Sequence, residues 1–149
     1  MNIELKDFLL AGERLKTVLH HTELDSSNTF SQMTGGNIYL KCENRQKTGS
    51  FKIRGASNKI AALAEQGDVK SVVASSAGNH AQGVAYAASK FGIPATIVMP
   101  KAAPIAKVQA TQGYGANVVL AGDCYDDAYA KACQICEEEG ATFLHPYND

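Results

Sequence analysis

The second half of the sequence alternates short apolar runs with amphipathic segments, and this alternation constrains the fold more than any other feature. Apolar runs typical of buried strands begin near residues 72, 95, 117 and 142, about every 23 residues. The segments between them have the length and periodicity of helices. Strands and helices that alternate in this way are typical of α/β proteins. The sequence therefore predicts an open, twisted, parallel sheet with flanking helices.

Apolar periodicity and helix start and stop signals predict where the individual elements lie. In the second half, strands are predicted at 72–74, 95–99, 117–120 and 142–144, and helices at 79–91, 104–114 and 125–139. The predicted N-cap of the last helix is Asp123. In the first half, the predicted elements are a helix at the start, a short helix capped by Asp25 or Ser26 and ending near Met33, a strand at 38–42, and a helix capped by Ser50 that stops at Gly67.

Composition and charge place the chain among ordinary globular domains. Its 149 residues are 45% hydrophobic and 19% charged, and the formal net charge is −1. No apolar run reaches the roughly 18 residues of a membrane helix, and no basic stretch favours nucleic-acid binding. The N-terminus lacks the basic and apolar regions of a secretory signal. We therefore expect a cytoplasmic protein that binds neither membrane nor nucleic acid.

The four cysteines are expected to be thiols, because disulfides are rare in proteins without an export signal. Cys133 and Cys136 form a C-x-x-C pattern, but they lie inside a predicted helix and have no further ligands at metal-site spacing. We therefore predict thiols that face the core and the flank of that helix, and no metal site.

The first candidate site is the segment 75–80 (SSAGNH), between a predicted strand and a predicted helix. A helix N-terminus carries unpaired N–H groups and a partial positive charge. The small residues of this segment would let an anion approach the backbone closely, and ligands of open α/β sheets bind at the carboxyl ends of strands. The pattern is typical of a carboxylate or phosphate site, and a capped tight turn is the structural alternative.

The second candidate is Lys52, in the first turn of a predicted helix. The helix dipole disfavours a cation there, and the apolar neighbour Phe51 adds desolvation. Both effects favour the neutral amine that a Schiff base or a general base requires. From this pattern alone, a solvated surface lysine is the favoured interpretation.

Two long motifs resemble those of pyridoxal-phosphate-dependent threonine/serine dehydratases, which have the tryptophan-synthase-β-like fold, fold type II. Residues 41–56 (KCENRQKTGSFKIRGA) are similar to the family's cofactor-lysine motif, and residues 75–83 (SSAGNHAQG) to its substrate-carboxylate loop. The segments 97–100 and 113–116 also match. The resemblance covers nearly the whole chain and overturns the surface interpretation of Lys52.

This resemblance implies a lyase that converts L-threonine or L-serine into a 2-oxo acid and ammonia, with pyridoxal 5'-phosphate as cofactor. Lys52 would carry the cofactor as a Schiff base and, once displaced by the substrate, would remove the Cα proton. Asn79 would hydrogen-bond the cofactor's 3-hydroxyl group, and Phe51 would pack beside its ring. The substrate carboxylate would be bound by Ser76, Ala77, Gly78, Asn79 and His80.

Ala77 distinguishes between two activities found among the enzymes that this sequence resembles. Similar serine racemases carry a serine at this position, which acts as the acid and base on the opposite face of the substrate carbon. Alanine cannot transfer a proton, so the sequence favours a dehydratase, with a racemase as the alternative. Threonine or serine preference stays open, as does a biosynthetic or catabolic role.

The resemblance also implies partners. Some members bind AMP or ATP between subunits, through positions that correspond here to Lys47, Thr48, Gln82 and Tyr114. A nucleotide effector is therefore an expectation, although each residue has an ordinary core or surface interpretation. A homo-oligomer is expected for the full-length form by the same analogy.

Domain boundaries follow from the same resemblance. Residues 1–54 would be the N-terminal part of the large cofactor domain, 55–145 the small α/β domain, and 146–149 the start of the return to the large domain. Family members are about twice this length or more, and the second half supplies the loop for the cofactor phosphate. We therefore expect weak or no turnover from these residues alone.

One alternative belongs to another functional class, a non-catalytic module that binds an anion or a partner. In either case, the first helix and the strand near Ile38 would have apolar faces without a covering domain. One departure from the family pattern is Glu23, which replaces the usual proline in a Thr-Pro-Leu sequence. We expect this to change only the entry loop.

Overall fold

A computed structural model describes residues 3–148. Met1, Asn2 and Asp149 lie outside the described residues, so the ends of the predicted segments 1–54 and 146–149 fall there. The helices are α1 (Leu5–Leu15), α2 (Asn28–Thr34), α3 (Lys52–Gln66), α4 (Asn79–Lys90), α5 (Ile105–Gly113) and α6 (Tyr125–Glu139). The strands are β1 (Leu24–Ser26), β2 (Tyr39–Lys41), β3 (Val72–Ser75), β4 (Ala95–Met99), β5 (Asn117–Leu120) and β6 (Thr142–Phe143).

A parallel four-stranded sheet forms the centre of the structure, in the order β5-β4-β3-β6. The chain runs from β3 to β4 to β5, and α6 then returns it past β3 to the opposite edge. Parallel crossovers are right-handed, so reversing the direction places α6 on the other face of the sheet. The reversal leaves the carboxyl ends of β3 and β6 side by side, where open α/β sheets bind ligands.

The two faces of the sheet are covered unequally. On one face, α3 and α4 pack a larger core against β3 and β4, and this core includes Ile60, Val84, Ile97 and Met99. On the other face, α6 covers a smaller core formed by Val73, Val98, Ala128, Ala132 and Ile135. Val72 and Val73 belong to opposite cores because successive strand residues point to opposite faces. The predicted α/β fold with flanking helices is confirmed.

The predicted caps were wrong where side chains are buried or the turn is shifted. Ser50 does not cap α3, since Phe51 occupies the N-cap position. The Ser50 hydroxyl is buried and has no hydrogen-bond partner among the described residues. Ser27, rather than Asp25 or Ser26, caps α2 by accepting a hydrogen bond from the Phe30 N–H.

The start of α6 is also shifted from the prediction. Cys124 rather than Asp123 is the N-cap, and the Asp127 carboxylate accepts hydrogen bonds from the N–H groups of both residues. Gly122 has a φ of 67°, and a Cβ there would lie 1.9 Å from the Cβ of Asp127. The tight turn before α6 therefore requires glycine at residue 122.

The N-terminal segment carries exposed apolar surface, as the sequence predicts. Leu5, Phe8 and Leu9 of α1 are each more than 60% exposed, and Tyr39 of β2 is 58% exposed. β1, which the sequence did not predict, pairs with β2 in a separate antiparallel ladder. The predicted boundary at residue 54 falls inside α3 and stays a prediction. Among residues 3–148, no helix is long and apolar enough to cross a membrane.

Charge-assisted hydrogen bonds fasten the loop before α3 to the first turn of that helix. The Glu43 carboxylate accepts two hydrogen bonds from Arg54, at 2.7 and 2.8 Å, and one from the Thr22 hydroxyl. Hydrogen bonding from Arg54, followed by that from Thr22, lowers the pKa of Glu43 to about 2 even though burial opposes the shift. Because Arg54 lies two residues after Lys52, this pair fixes the backbone around Lys52.

The Glu43–Arg54 pair should make stability depend on pH. A lowered pKa in the folded state adds stability above the ordinary value of 4.5, and that stability is lost as pH falls towards 2. We expect Glu43→Gln to lower the free energy of unfolding at pH 7 by about 1–3 kcal/mol, a range reduced for the partial exposure of Arg54. Urea titrations from pH 7 to pH 2 would measure both effects.

The matched control for this experiment is Glu13→Gln, which removes an exposed ion pair with Lys16. Exposed pairs contribute little, so its free energy of unfolding should stay within about 0.5 kcal/mol of the wild type. Equal effects of the two substitutions would contradict the assigned role of Glu43.

Candidate active site

A cavity of about 280 Å³ opens at the carboxyl ends of β3 and β6. Four parts of the chain form it: the start of α3, the turn from β3 into α4, the start of α6, and the segment that follows β6. It contains all of the residues predicted for the cofactor and the carboxylate, namely Phe51, Lys52, Ser76, Ala77, Gly78, Asn79 and His80. Residues far apart in sequence therefore meet in one place.

Lys52 is the first residue of α3, and its amine is held by the segment after β6. Its Nζ donates a 2.8 Å hydrogen bond to the carbonyl oxygen of Pro146. The same atom lies 4.8 Å from the ring centre of Tyr147 and 5.5 Å from that of Phe51. A carbonyl and two aromatic faces attract an ammonium group, so these contacts place the amine at the cavity wall rather than in open solvent.

The turn from β3 into α4 presents an uncapped helix N-terminus to the cavity. Gly78 is the N-cap of α4, and among residues 3–148 the helix has no side-chain capping hydrogen bond. The Ser76 hydroxyl instead accepts a 3.2 Å hydrogen bond from the Gly78 N–H. A Cβ added to Gly78 would meet nothing within 4 Å, so there is open space beside its backbone. An anion can approach the positive end of the helix dipole here.

His80 joins this turn to the segment after β6. Its ring is buried, and Nε2 lies 3.1 Å from the Leu144 carbonyl oxygen. Because a carbonyl only accepts hydrogen bonds, this contact requires the proton on Nε2. The His80 side chain therefore fastens the start of α4 to the same segment that holds the Lys52 amine through Pro146.

Three cavity residues were missed by sequence reasoning, namely Tyr125, Pro146 and Tyr147. Tyr125 begins α6, and burial, followed by the nearby Tyr147, raises the pKa of its phenol. Ser75, the last residue of β3, is fully buried, and its hydroxyl has no hydrogen-bond partner within the part of the chain that the structure describes. The three missed residues follow the carboxyl ends of β5 and β6, so the strand-end rule applied to those two strands would have indicated them.

The residues predicted to bind a nucleotide lie elsewhere. Tyr114 donates a 3.1 Å hydrogen bond from its hydroxyl to the Lys47 carbonyl, and the Lys47 amine donates to the Val18 carbonyl at 2.9 Å. Thr48 and Gln82 are buried. Among the residues that the structure describes, the lining of the Lys52 cavity includes none of these four. A nucleotide effector stays a prediction.

The cysteines are all thiols in the structure. Burial raises the pKa of the Cys136 thiol, with neighbouring Cys133 adding to the effect, which opposes formation of a reactive thiolate. Within residues 3–148, no three His, Cys, Asp or Glu side chains converge as metal ligands would.

Curated relatives match the chain along almost its whole length. It is 58% identical over 147 residues to the L-threonine ammonia-lyase of Thermotoga maritima, covering 99% of this chain and 37% of that protein. It is 48% identical over 147 residues to the catabolic L-threonine dehydratase TdcB of Escherichia coli, covering 99% of this chain and 45% of that protein. The chain thus spans less than half the length of these relatives.

Solved structures share the fold. Maize serine racemase superposes with a TM-score of 0.91 at 38% identity, over 100% of this chain and 45% of that one. Processed threonine deaminase isoform 2 of Solanum lycopersicum gives a TM-score of 0.85 at 34% identity, over 99% of this chain and 42% of that one.

These neighbours confirm the predicted fold type II architecture. The family model described as "Pyridoxal-phosphate dependent enzyme" matches residues 15–149. That span includes Lys52, the turn at 76–80 and the other residues that line the cavity. The chain therefore belongs to the family of pyridoxal-phosphate-dependent enzymes.

Proposed function

We propose that this chain forms part of an L-threonine ammonia-lyase, which also accepts L-serine. The products are 2-oxobutanoate, or pyruvate from serine, and ammonia. The observation that carries the proposal is that the Lys52 amine and the uncapped start of α4 line one cavity. An amino acid needs both groups, one for the chemistry at Cα and one for its carboxylate. The names of the two curated relatives support the same substrate.

The residues of the cavity fit pyridoxal phosphate by their chemistry. Lys52 supplies a primary amine that can condense with the aldehyde group of the cofactor. Asn79 supplies an amide for its phenolic oxygen, and Phe51 supplies an apolar ring face. The open space beside Gly78 leaves room for a ligand against the backbone. When bound, the cofactor supplies an electron-accepting ring for the pair of electrons that deprotonation leaves at Cα.

Lys52 has two tasks in this proposal. Its amine holds the cofactor at rest, and after the substrate has taken its place the amine removes the proton from Cα. The hydrogen bond to Pro146 and the ring of Tyr147 hold the amine near one position. A general base held within hydrogen-bond reach of its proton needs little further ordering.

The turn at 76–80 orients the substrate. Backbone N–H groups at the start of α4 and the helix dipole bind the carboxylate without a charged side chain. Binding at that point would turn Cα towards Lys52, which lines the same cavity. The Cα proton and the β-hydroxyl group leave as one water, which completes the elimination. Hydrolysis then takes up one water and releases the 2-oxo acid and ammonia.

A serine racemase is the second candidate, and the structural match to the maize enzyme favours it. Racemisation needs a second proton-transfer group on the face of Cα opposite to Lys52. The methyl group of Ala77 lines the cavity and cannot transfer a proton. This residue therefore supports elimination over racemisation.

The first test is a covalent trap on Lys52. We expect the 149-residue chain, incubated with pyridoxal phosphate and reduced with borohydride, to carry its label mainly on Lys52. Peptide mass spectrometry would locate the label, and Lys59→Ala, on the same helix, is the control that should leave the pattern unchanged. Label scattered over surface lysines would contradict the idea that these residues organise the site, and would favour a non-catalytic module.

Activity provides a stronger test in a chain extended to the length of the relatives. We expect Lys52→Ala to abolish threonine deamination, a loss of at least about 10³-fold, because no other group in the proposal removes the Cα proton. Ammonia release would be measured, and Lys59→Ala should retain activity. Deamination that survives in Lys52→Ala would sink the role of this lysine.

Ala77 should control the stereochemical outcome. In the same extended chain, we expect Ala77→Ser to add racemisation of L-serine to the elimination, because a hydroxyl then faces Cα from the other side. Chiral analysis of the recovered serine measures this, with Ala77→Val as a control that adds bulk but no proton. No D-serine above the level of the valine variant would mean that residue 77 does not face Cα.

A further inference from the structure

We propose that Gly83 is a positioning residue for this reaction, because its missing side chain lets α4 approach the first peptide of α3 and so sets the distance from Lys52 to the turn at 76–80. The inference rests on the proposed function, in which both groups act on one substrate. Gly83 itself lies outside the cavity lining, and its effect on the reaction would pass entirely through the backbone of Lys52.

The geometry at Gly83 is tight and involves main-chain atoms only. A Cβ added there would lie 3.2 Å from both the carbonyl carbon and the carbonyl oxygen of Lys52, and 3.3 Å from the nitrogen of Ile53. No change of rotamer can relieve contacts with backbone atoms. By contrast, a Cβ added at Gly12, within α1, would meet nothing within 4 Å.

The contact lies one helical turn into α4, on the side of the helix that also carries Asn79. One turn of helix rises about 5.4 Å. The backbone of Lys52 therefore sits beside the second turn of α4, close to the N-terminus that the proposal assigns to the carboxylate. The distance from the backbone of Lys52 to the anion-binding turn therefore depends on how closely α3 and α4 approach each other.

Neither helix is free to move away from an added methyl group. α4 is held in the main core by Ala81, Val84 and Ala85, which are almost completely buried. The first turn of α3 is held by the two hydrogen bonds that Arg54 donates to Glu43. The few tenths of an ångström that the added methyl group requires would therefore displace mainly the backbone at Lys52. Reacting groups must be held within roughly 0.5 Å of their productive geometry.

The experiment compares Gly83→Ala with the control Gly12→Ala in the 149-residue chain. The rate of borohydride-trapped labelling by pyridoxal phosphate is measured at Lys52, with Lys59 as an internal reference. We expect the ratio of Lys52 to Lys59 labelling to fall about tenfold or more in Gly83→Ala, since small misplacements cost large factors. The same ratio should stay within about twofold of the wild type in Gly12→Ala, and Gly83→Ser should lower it further than alanine does.

Circular dichroism and urea midpoints separate positioning from folding. The proposal requires Gly83→Ala to remain folded with a midpoint similar to that of the wild type, while Lys52 labelling falls. Unchanged labelling in a folded Gly83→Ala would overturn it. An unfolded Gly83→Ala would overturn it too, because the glycine would then serve the whole fold rather than the site.

A readout without cofactor distinguishes failure of this inference from failure of the proposed function. If the wild type does not label preferentially at Lys52, these residues do not organise the cofactor site alone, and deamination by the extended chain then tests the proposed function. Amide NMR spectra then decide the role of Gly83. The inference requires Gly83→Ala to shift the amide signals of Lys52, Ile53 and residues 76–80, and shifts confined to α4 beyond residue 81 would contradict it.

Discussion

The pairing of β3 with both of its neighbours is the constraint on which the site depends. β3 is buried along its whole length, with β4 hydrogen-bonded on one side and β6 on the other. The turn at 76–80 continues β3, and the carbonyl that holds the Lys52 amine lies just beyond β6. Since the two strands are adjacent and parallel, their carboxyl ends lie side by side, and the turn at 76–80 lies close to Pro146. The core beneath the sheet thus fixes the geometry of the cavity.

Lys52 is supported from two sides by different kinds of interaction. On the side of the N-terminal segment, the Glu43–Arg54 pair fixes the loop and the first turn of α3. On the side of the sheet, the side chain meets the Pro146 carbonyl and the Tyr147 ring. The first support acts on the backbone and the second on the amine. An amine on a long, flexible side chain needs both supports, because it would otherwise be distributed over many rotamers and would occupy the productive one only part of the time.

Periodicity alone predicted β4, β5 and α6 with the boundaries that the structure has, because each shows a clear pattern between turn residues. The motifs around Lys52 and 76–80 predicted two cavity walls through their resemblance to the family's cofactor-lysine motif and carboxylate loop. The third wall was missed, although the strand-end rule indicates the segment after β6. Pro146 lies beside Lys52 only because β6 pairs with β3 rather than with β5. Strand order depends on tertiary packing and leaves no local signal. The prediction that Ser50 caps α3 was wrong for a similar reason, because tertiary packing buries the Ser50 hydroxyl instead of placing it at the helix end.

The backbone does not decide between elimination and racemisation. A serine racemase superposes on this chain with a TM-score of 0.91 and a threonine deaminase with 0.85, so both activities use the same arrangement of helices and strands. Activities that share a fold must differ at individual side chains. Both reactions begin with removal of the Cα proton, which Lys52 can perform in either case. They part at the opposite face of that carbon, which the proposed function assigns to the side chain of residue 77, a methyl group that cannot return a proton.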